Sequence, residues 1–215
     1  MKKIIMTMIA MLPIVGMAQN EGWKPTDNTQ QDHKRKALIQ KNPANEDPKY
    51  LEGAIPMENG KVVFTLDYDV PGASADHIYH IIYKVLEGMT QEENQFKASK
   101  IAIANKEDHV IAARFKEWLV FQNTLLSLDR SVFNYTIIAT CTDGHANVTL
   151  SRISYEYEKE REGTEGIETT AEEWITDEYA LTKKKNRLSK YTGKFRRKTI
   201  DRKDEIFESI VSALH

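Results

Sequence analysis

The sequence predicts an α+β domain in two layers: one antiparallel sheet of about five strands, helices packed on one face, and a further helix at the C-terminus. Three observations predict it. The run KVVFTLDY alternates with period two and precedes a helical stretch of period 3.6. Four more strand-like runs then follow as two consecutive hairpins, the usual way to build an antiparallel sheet. Two helical stretches close the chain, so the element order is β-α-β-β-β-β-α plus a final helix.

The ordered part is preceded by two segments of another character. Lys2 and Lys3 open the chain, and the apolar stretch IIMTMIAMLPIVGMA ends at the small residues Gly16 and Ala18. That tripartite pattern is a secretory signal peptide over 1–18, with cleavage expected after Ala18. The mature chain is therefore expected to be exported, either periplasmic or secreted. The apolar run is short for a membrane span, so no transmembrane segment is expected in the mature chain. No cysteine follows the run, so no lipid anchor is expected there. Residues 19–48 are polar and aperiodic, and such composition cannot bury enough surface to offset chain entropy. They are read as a linker, with Trp23 as a candidate docking residue. Residues 49–215 form one domain.

Within that domain each element has a local cause. MENG, ending in Asn59-Gly60, is turn chemistry. In the strand after it, Val62, Phe64, Leu66 and Tyr68 share one face. Pro71 and Gly72 break the strand, and Ser74 is placed to cap a helix with Asp76 and His77 in its first turn. Ile78, Ile81, Ile82, Val85 and Met89 form its apolar stripe. KIAIAN and HVIAARFKEWLVF flank a polar turn, and SVFNYTIIATCTD and HANVTLSRISYEYE flank Gly144. In the third of these runs Phe133, Tyr135, Ile137, Ala139 and Cys141 share a face opposite Asn134, Thr136, Ile138, Thr140 and Thr142. In the fourth the apolar phase slips between Leu150 and Ile153, which predicts a β-bulge near Ser151-Arg152. Thr170 and Glu173 fit a capping box for a helix with Ala171, Trp174, Ile175, Tyr179 and Leu181 on its stripe. The last helix is expected over 201–214, with Asp201 as N-cap and Ile206, Phe207, Ile210, Val211 and Leu214 buried.

Two long stretches also carry a family likeness. YLEGAIPMENGKVVFTLDYDVPGASADHIYHIIYKVL and TAEEWITDEYALTKKKNRLSKYTGKFRRKTIDRKDEIFESI resemble the opening and C-terminal half of a family of exported bacterial domains of unknown function. The likeness rests on the Gly60-Lys61-Val62-Val63-Phe64 strand, a tyrosine in the first helix and the Gly193-Lys194-Phe195-Arg196 block, and it runs from Tyr50 onward. It implies a fold like that of TATA-binding protein (TBP-like), whose repeat has the strand order read above. It implies no activity and no catalytic residues, and a shared fold alone does not imply DNA binding.

The chemistry that can be sought in the residues is sparse. Cys141 is the single cysteine, so no disulfide framework or multi-cysteine metal site can form within one chain. It lies on an apolar strand face, where a small core residue is expected rather than a nucleophile. His77 and His80 sit three apart beside Asp76 but lack an HExxH pattern, so no metal is assigned. There is no G-x-S-x-G elbow and no phosphate loop. No cofactor is expected, and the chain is not expected to be an enzyme.

The notable feature is charge. Glu156–Glu178 holds ten acids and two bases, and Lys183–Lys203 holds eleven bases and one acid, in a chain of net charge −2. Leu188, Tyr191, Phe195 and Ile200 punctuate the basic segment, as in packed structure. Lys194, Arg196, Arg197 and Lys198 are the candidate contacts to an anion or partner. Export disfavours nucleic acid as that partner. The sequence therefore points to a non-catalytic exported module that binds a protein or cell-envelope component. The alternatives are an enzyme whose site is assembled from scattered residues, or an anionic lipid or glycan bound through the basic segment.

Overall fold

A computed structural model of the chain describes residues 47–124, 127–159, 163 and 165–215. The expected signal peptide, Trp23 and nearly all of the expected linker lie outside the described residues. A 3₁₀ turn at Pro48–Tyr50 opens the described part. The elements after it are β1 (Met57–Glu58), β2 (Lys61–Asp69), α1 (Ala75–Met89), β3 (Lys100–Asn105), β4 (Val110–Thr124), β5 (Ser127–Thr142), β6 (His145–Tyr157), β7 (Ile167–Thr170), α2 (Ala171–Trp174), α3 (Asp177–Ala180) and α4 (Gly193–Leu214).

The strands form one seven-stranded sheet in the order β1-β2-β6-β5-β4-β3, with β7 also paired to β6. Every pairing is antiparallel. The expected count of about five is exceeded by two short strands, β1 with two residues and β7 with four. Neither is long enough to display alternation. Strand β6 is shared along its length, its first half pairing with β2 and its second half with β7.

The bulge is where the sequence predicts it. Asn134 pairs with Ser154 and Thr136 with Ser151, so Tyr135 faces two residues, Arg152 and Ile153. Arg152 occupies the left-handed region at φ 54°. The MENG turn joins β1 to β2 with Asn59 at φ 50° and Gly60 at φ 76°, the two positive φ values that a type I′ hairpin requires.

All described helices lie on one face of the sheet. Ser74 caps α1 by accepting from the His77 amide at 3.3 Å, and Asp143 accepts from the Ala75 amide at 2.8 Å. The buried residues of α1 are Ile78, Tyr79, Ile82, Leu86 and Met89. Ile81 and Val85 fall to the edge of the stripe, and Tyr79 and Leu86 replace them. Beneath the helices, Phe195 of α4 meets the rings of Trp174 at 4.4 Å, Phe121 at 4.5 Å, and Tyr155 and Tyr157 at 5.3 Å. Burying one such ring stabilises the fold by about 1.5–3 kcal/mol.

Four expectations near the C-terminus are corrected. The helix expected from Thr170 is two single turns, α2 and α3. The capping box does not form: Thr170 makes no side-chain cap hydrogen bond, and Glu173 accepts from Thr169 instead. Tyr179, placed on the apolar stripe, is 49% exposed. The last helix begins at Gly193 rather than Asp201. Its buried stripe includes Arg196, Thr199 and Lys203, so polar side chains interrupt the apolar signal over its first half. Gly193 is required at the start, because a Cβ there would lie 2.7 Å from the Leu188 Cβ.

Candidate functional site

The basic segment divides into groups that serve the fold and groups that face solvent. Arg196 is fully buried. Its Nε donates to the Tyr50 carbonyl at 2.7 Å and its Nη1 to the Ile175 carbonyl at 2.9 Å, while Nη2 bonds the Leu51 carbonyl and lies 2.8 Å from Asp177. Burial lowers its pKa against the pull of Asp177. Lys194 donates to Asp129 at 2.7 Å and to the Tyr157 hydroxyl at 2.9 Å. Arg197 is half-buried with its guanidinium 5.1 Å from the centre of the Tyr50 ring. Lys198 is half-buried on the same helix. These four do not converge on one surface.

The acidic block next in sequence is not the general counter-charge. Arg196 with Asp177 joins the two blocks. Otherwise the basic residues pair with acids spread through the fold: Lys185 with Glu52 at 2.6 Å, Lys194 with Asp129, and Arg202 with Glu117 at 2.9 Å and Glu92 at 2.5 Å. Burial pushes the Glu117 carboxyl above its usual range, opposed by Arg202. The charges left in solvent are on the loop before α4, where Lys183, Lys184 and Arg187 are exposed.

The other sequence candidates are set apart from one another. His77 and His80 are exposed, and His80 Nδ1 donates to the Asp76 carbonyl at 2.7 Å. Cys141 is buried, and desolvation pushes its thiol up to about 11. No grouping of three His, Cys, Asp or Glu side chains fit to hold a metal occurs among the described residues.

The opposite face of the sheet carries no described helix. Its centre is small and uncharged: Thr65, Thr149, Ile138 and Ala112 are consecutive cross-strand neighbours. Toward β3 the character changes. Lys100, Arg114, Thr136 and Ser151 form the parallel row across β3, β4, β5 and β6. The bulge sets Arg152 beside that row. Lys100, Arg114, Thr136 and Arg152, with Lys97 from the loop before β3 and Lys116, line a cleft of about 420 Å³.

Lys116 is neutralised by Glu156 at 2.9 Å, and its hydrogen bond holds the Glu156 carboxyl below the usual range. Lys97, Lys100, Arg114 and Arg152 are exposed and make no ion pair among the described residues. Sequence reasoning missed this group because its members come from three strands and a loop. The available signal was the alternation in VIAARFKEW, which turns Arg114 and Lys116 outward, together with the slip at Arg152.

A neighbouring cavity of about 670 Å³ is lined in part by Phe96, Trp118 and Arg130. Its indole is already covered, by the Arg130 guanidinium at 3.5 Å and the Phe96 ring at 4.9 Å.

Comparison with known proteins agrees with this fold. No curated protein matches the chain. Residues 64–156 match the model of DUF4468, a domain of unknown function with TBP-like fold. The crystal structure of a DUF4468 family protein from Bacteroides ovatus superposes with a TM-score of 0.71 at 38% identity, covering 79% of this chain and 96% of that one. A TBP-like protein from Parabacteroides distasonis, 22% identical, superposes with a TM-score of 0.59 over 74% of this chain and 96% of its own, a likeness of fold. With its sheet order, its helices on one face and this level of identity over nearly the whole of a solved relative, the chain belongs to the DUF4468 family of domains of unknown function with a TBP-like fold.

Proposed function

We propose that the chain is a non-catalytic exported module that binds a protein or cell-envelope component through the open face of its sheet. The observation that carries this reading is the contrast between the two faces. One is covered by α1 to α4, while the other presents β2, β6, β5 and β4 side by side with outward Thr, Asn and Ser side chains. A broad sheet face with an uncharged, hydrogen-bonding centre suits recognition of a surface better than bond making. The buried, weakly acidic Cys141 and the separated histidines favour a binding role too. The N-terminal leader pattern supports export.

Retention of the purified chain on a cell-envelope fraction tests this. Thr149→Tyr adds bulk at the centre of the open face and is expected to abolish retention. Glu208→Gln, on the exposed side of α4, is expected to leave it unchanged. Equal retention of both variants would overturn the reading.

A further inference from the structure

We propose that the cleft between the β3 edge and the β6 bulge binds a phosphate-bearing ligand, held by Lys97, Lys100, Arg114 and Arg152. The inference deepens the open-face reading and rests on it. Its first ground is charge without counter-charge. Four exposed cations converge on one cleft whose lining, among the described residues, contains no carboxylate.

Folding alone disfavours this arrangement twice over. Lys100 and Arg114 are direct cross-strand partners, and like charges so placed repel. Arg152 holds a left-handed backbone conformation that an L side chain rarely adopts. Local costs gathered in one place mark a site kept for something other than stability.

The chemistry narrows the ligand class. Arg114 and Arg152 offer planar donor forks that match phosphate oxygens in bidentate fashion, while the lysines add point charges. The Thr136 hydroxyl, in the same row, supplies a neutral hydrogen bond. A monocarboxylate would leave most of this charge unmatched, whereas a phosphate ester brings about two negative charges on three oxygens. Trp118, the nearby indole, has Arg130 and Phe96 on its ring, so it offers no stacking platform for a base or sugar. The phosphate is thus the group that is read. Lys100, Arg114 and Arg152 sit on strands of the sheet, which hold geometry better than the basic loop before α4.

Calorimetric titration of the chain with inorganic tripolyphosphate tests the assignment. Saturable one-to-one binding is expected, weakened at least about tenfold by Arg114→Gln and by Arg152→Gly. The double variant Lys183→Gln/Lys184→Gln removes comparable charge from the basic loop and is expected to bind as the unaltered chain does. Arg152→Gly also separates binding from folding, since glycine is at ease at that φ and its melting temperature should not fall. Binding unchanged in the cleft variants, or weakened equally in the loop variant, would overturn the proposal.

Co-sedimentation with phosphatidylglycerol vesicles tells the source. Retention lost in Arg114→Gln names a lipid headgroup, and tripolyphosphate binding without retention names a soluble or glycan phosphate. Thr149→Tyr should keep its tripolyphosphate affinity. If the cleft variants bind normally while Thr149→Tyr still loses the envelope, the phosphate assignment fails and the open-face module stands.

Discussion

At the scale of the residue, two arginines show opposite uses of the same side chain. Arg196 is a structural clamp: one guanidinium donates to three main-chain carbonyls and lies in ion-pair contact with Asp177 at 2.8 Å, with no access to solvent. Removing one partner from such a set leaves buried groups unpaired, which costs about 3–5 kcal/mol. Arg196→Ala is therefore expected to lower the urea midpoint of unfolding by an amount of that order. Arg196→Lys should not restore it, because a single ammonium cannot span the positions of the planar fork. Arg152 is the reverse case, exposed and without an ion pair among the described residues, on a backbone that disfavours it. Left-handed backbone at a residue with a Cβ costs about 1–2 kcal/mol. Arg152→Gly is thus expected to leave the urea midpoint unchanged or raise it by about 1 kcal/mol equivalent, the greater unfolded-state freedom of glycine offsetting part of the gain.

At the scale of the element, β2 and β6 are tied at one end by His145. Its Nε2 lies 2.7 Å from Asp67 and its Nδ1 2.8 Å from Asp69, and the hydrogen bond to Asp69, followed by that to Asp67, raises its pKa above 6.5. A histidine raised on folding contributes stability that is complete below its unfolded pKa and fades as pH rises through the folded one. The melting temperature of His145→Gln should therefore fall below that of the unaltered chain at mildly acidic pH, with the gap closing at mildly alkaline pH. All three groups are more than a third exposed, so solvent screening keeps the gap small. The MENG hairpin gives a second expectation at this scale. Gly60 at φ 76° has open space around it, so Gly60→Ala loses stability through backbone strain alone, by about 1–2 kcal/mol in a denaturation curve.

At the scale of the whole molecule, the core is one continuous cluster shared by the sheet, α1 and α4, and Cys141 sits inside it. Its thiol is removed from solvent and pushed up to about 11. Labelling by a thiol reagent should then require opening of β5 and its neighbours, with a labelling free energy close to that of global unfolding. Labelling far faster than global unfolding would mean that the α1 side of the sheet opens locally. The 3₁₀ turn at Pro48–Tyr50 belongs to this unit too. Lys49 and the Tyr50 hydroxyl bond Asp201 at 2.8 and 2.6 Å, and Arg196 holds the Tyr50 carbonyl, so the start of the described chain is bolted to α4.

The sequence by itself determined the fold class, the order of the long elements, the capped first helix, the Asn59-Gly60 hairpin and the bulge at Ser151-Arg152. Each rests on contacts between near neighbours in the chain, where period and turn chemistry act directly. Short β1 and β7 and the true start of α4 stayed hidden. A strand of two to four residues has no readable period, and the buried polar residues Arg196, Thr199 and Lys203 broke the apolar stripe. Only the tertiary structure decided the roles of the charges. Apart from Arg196 with Asp177, the basic run of Lys183–Lys203 pairs with Glu52, Glu92, Glu117 and Asp129, far away in sequence, and much of it is thereby absorbed into the fold. The cleft of Lys97, Lys100, Arg114 and Arg152 exists because strand pairing lays three distant segments side by side. Charge along a chain is a local quantity, whereas the field at a surface depends on which segments the sheet brings together.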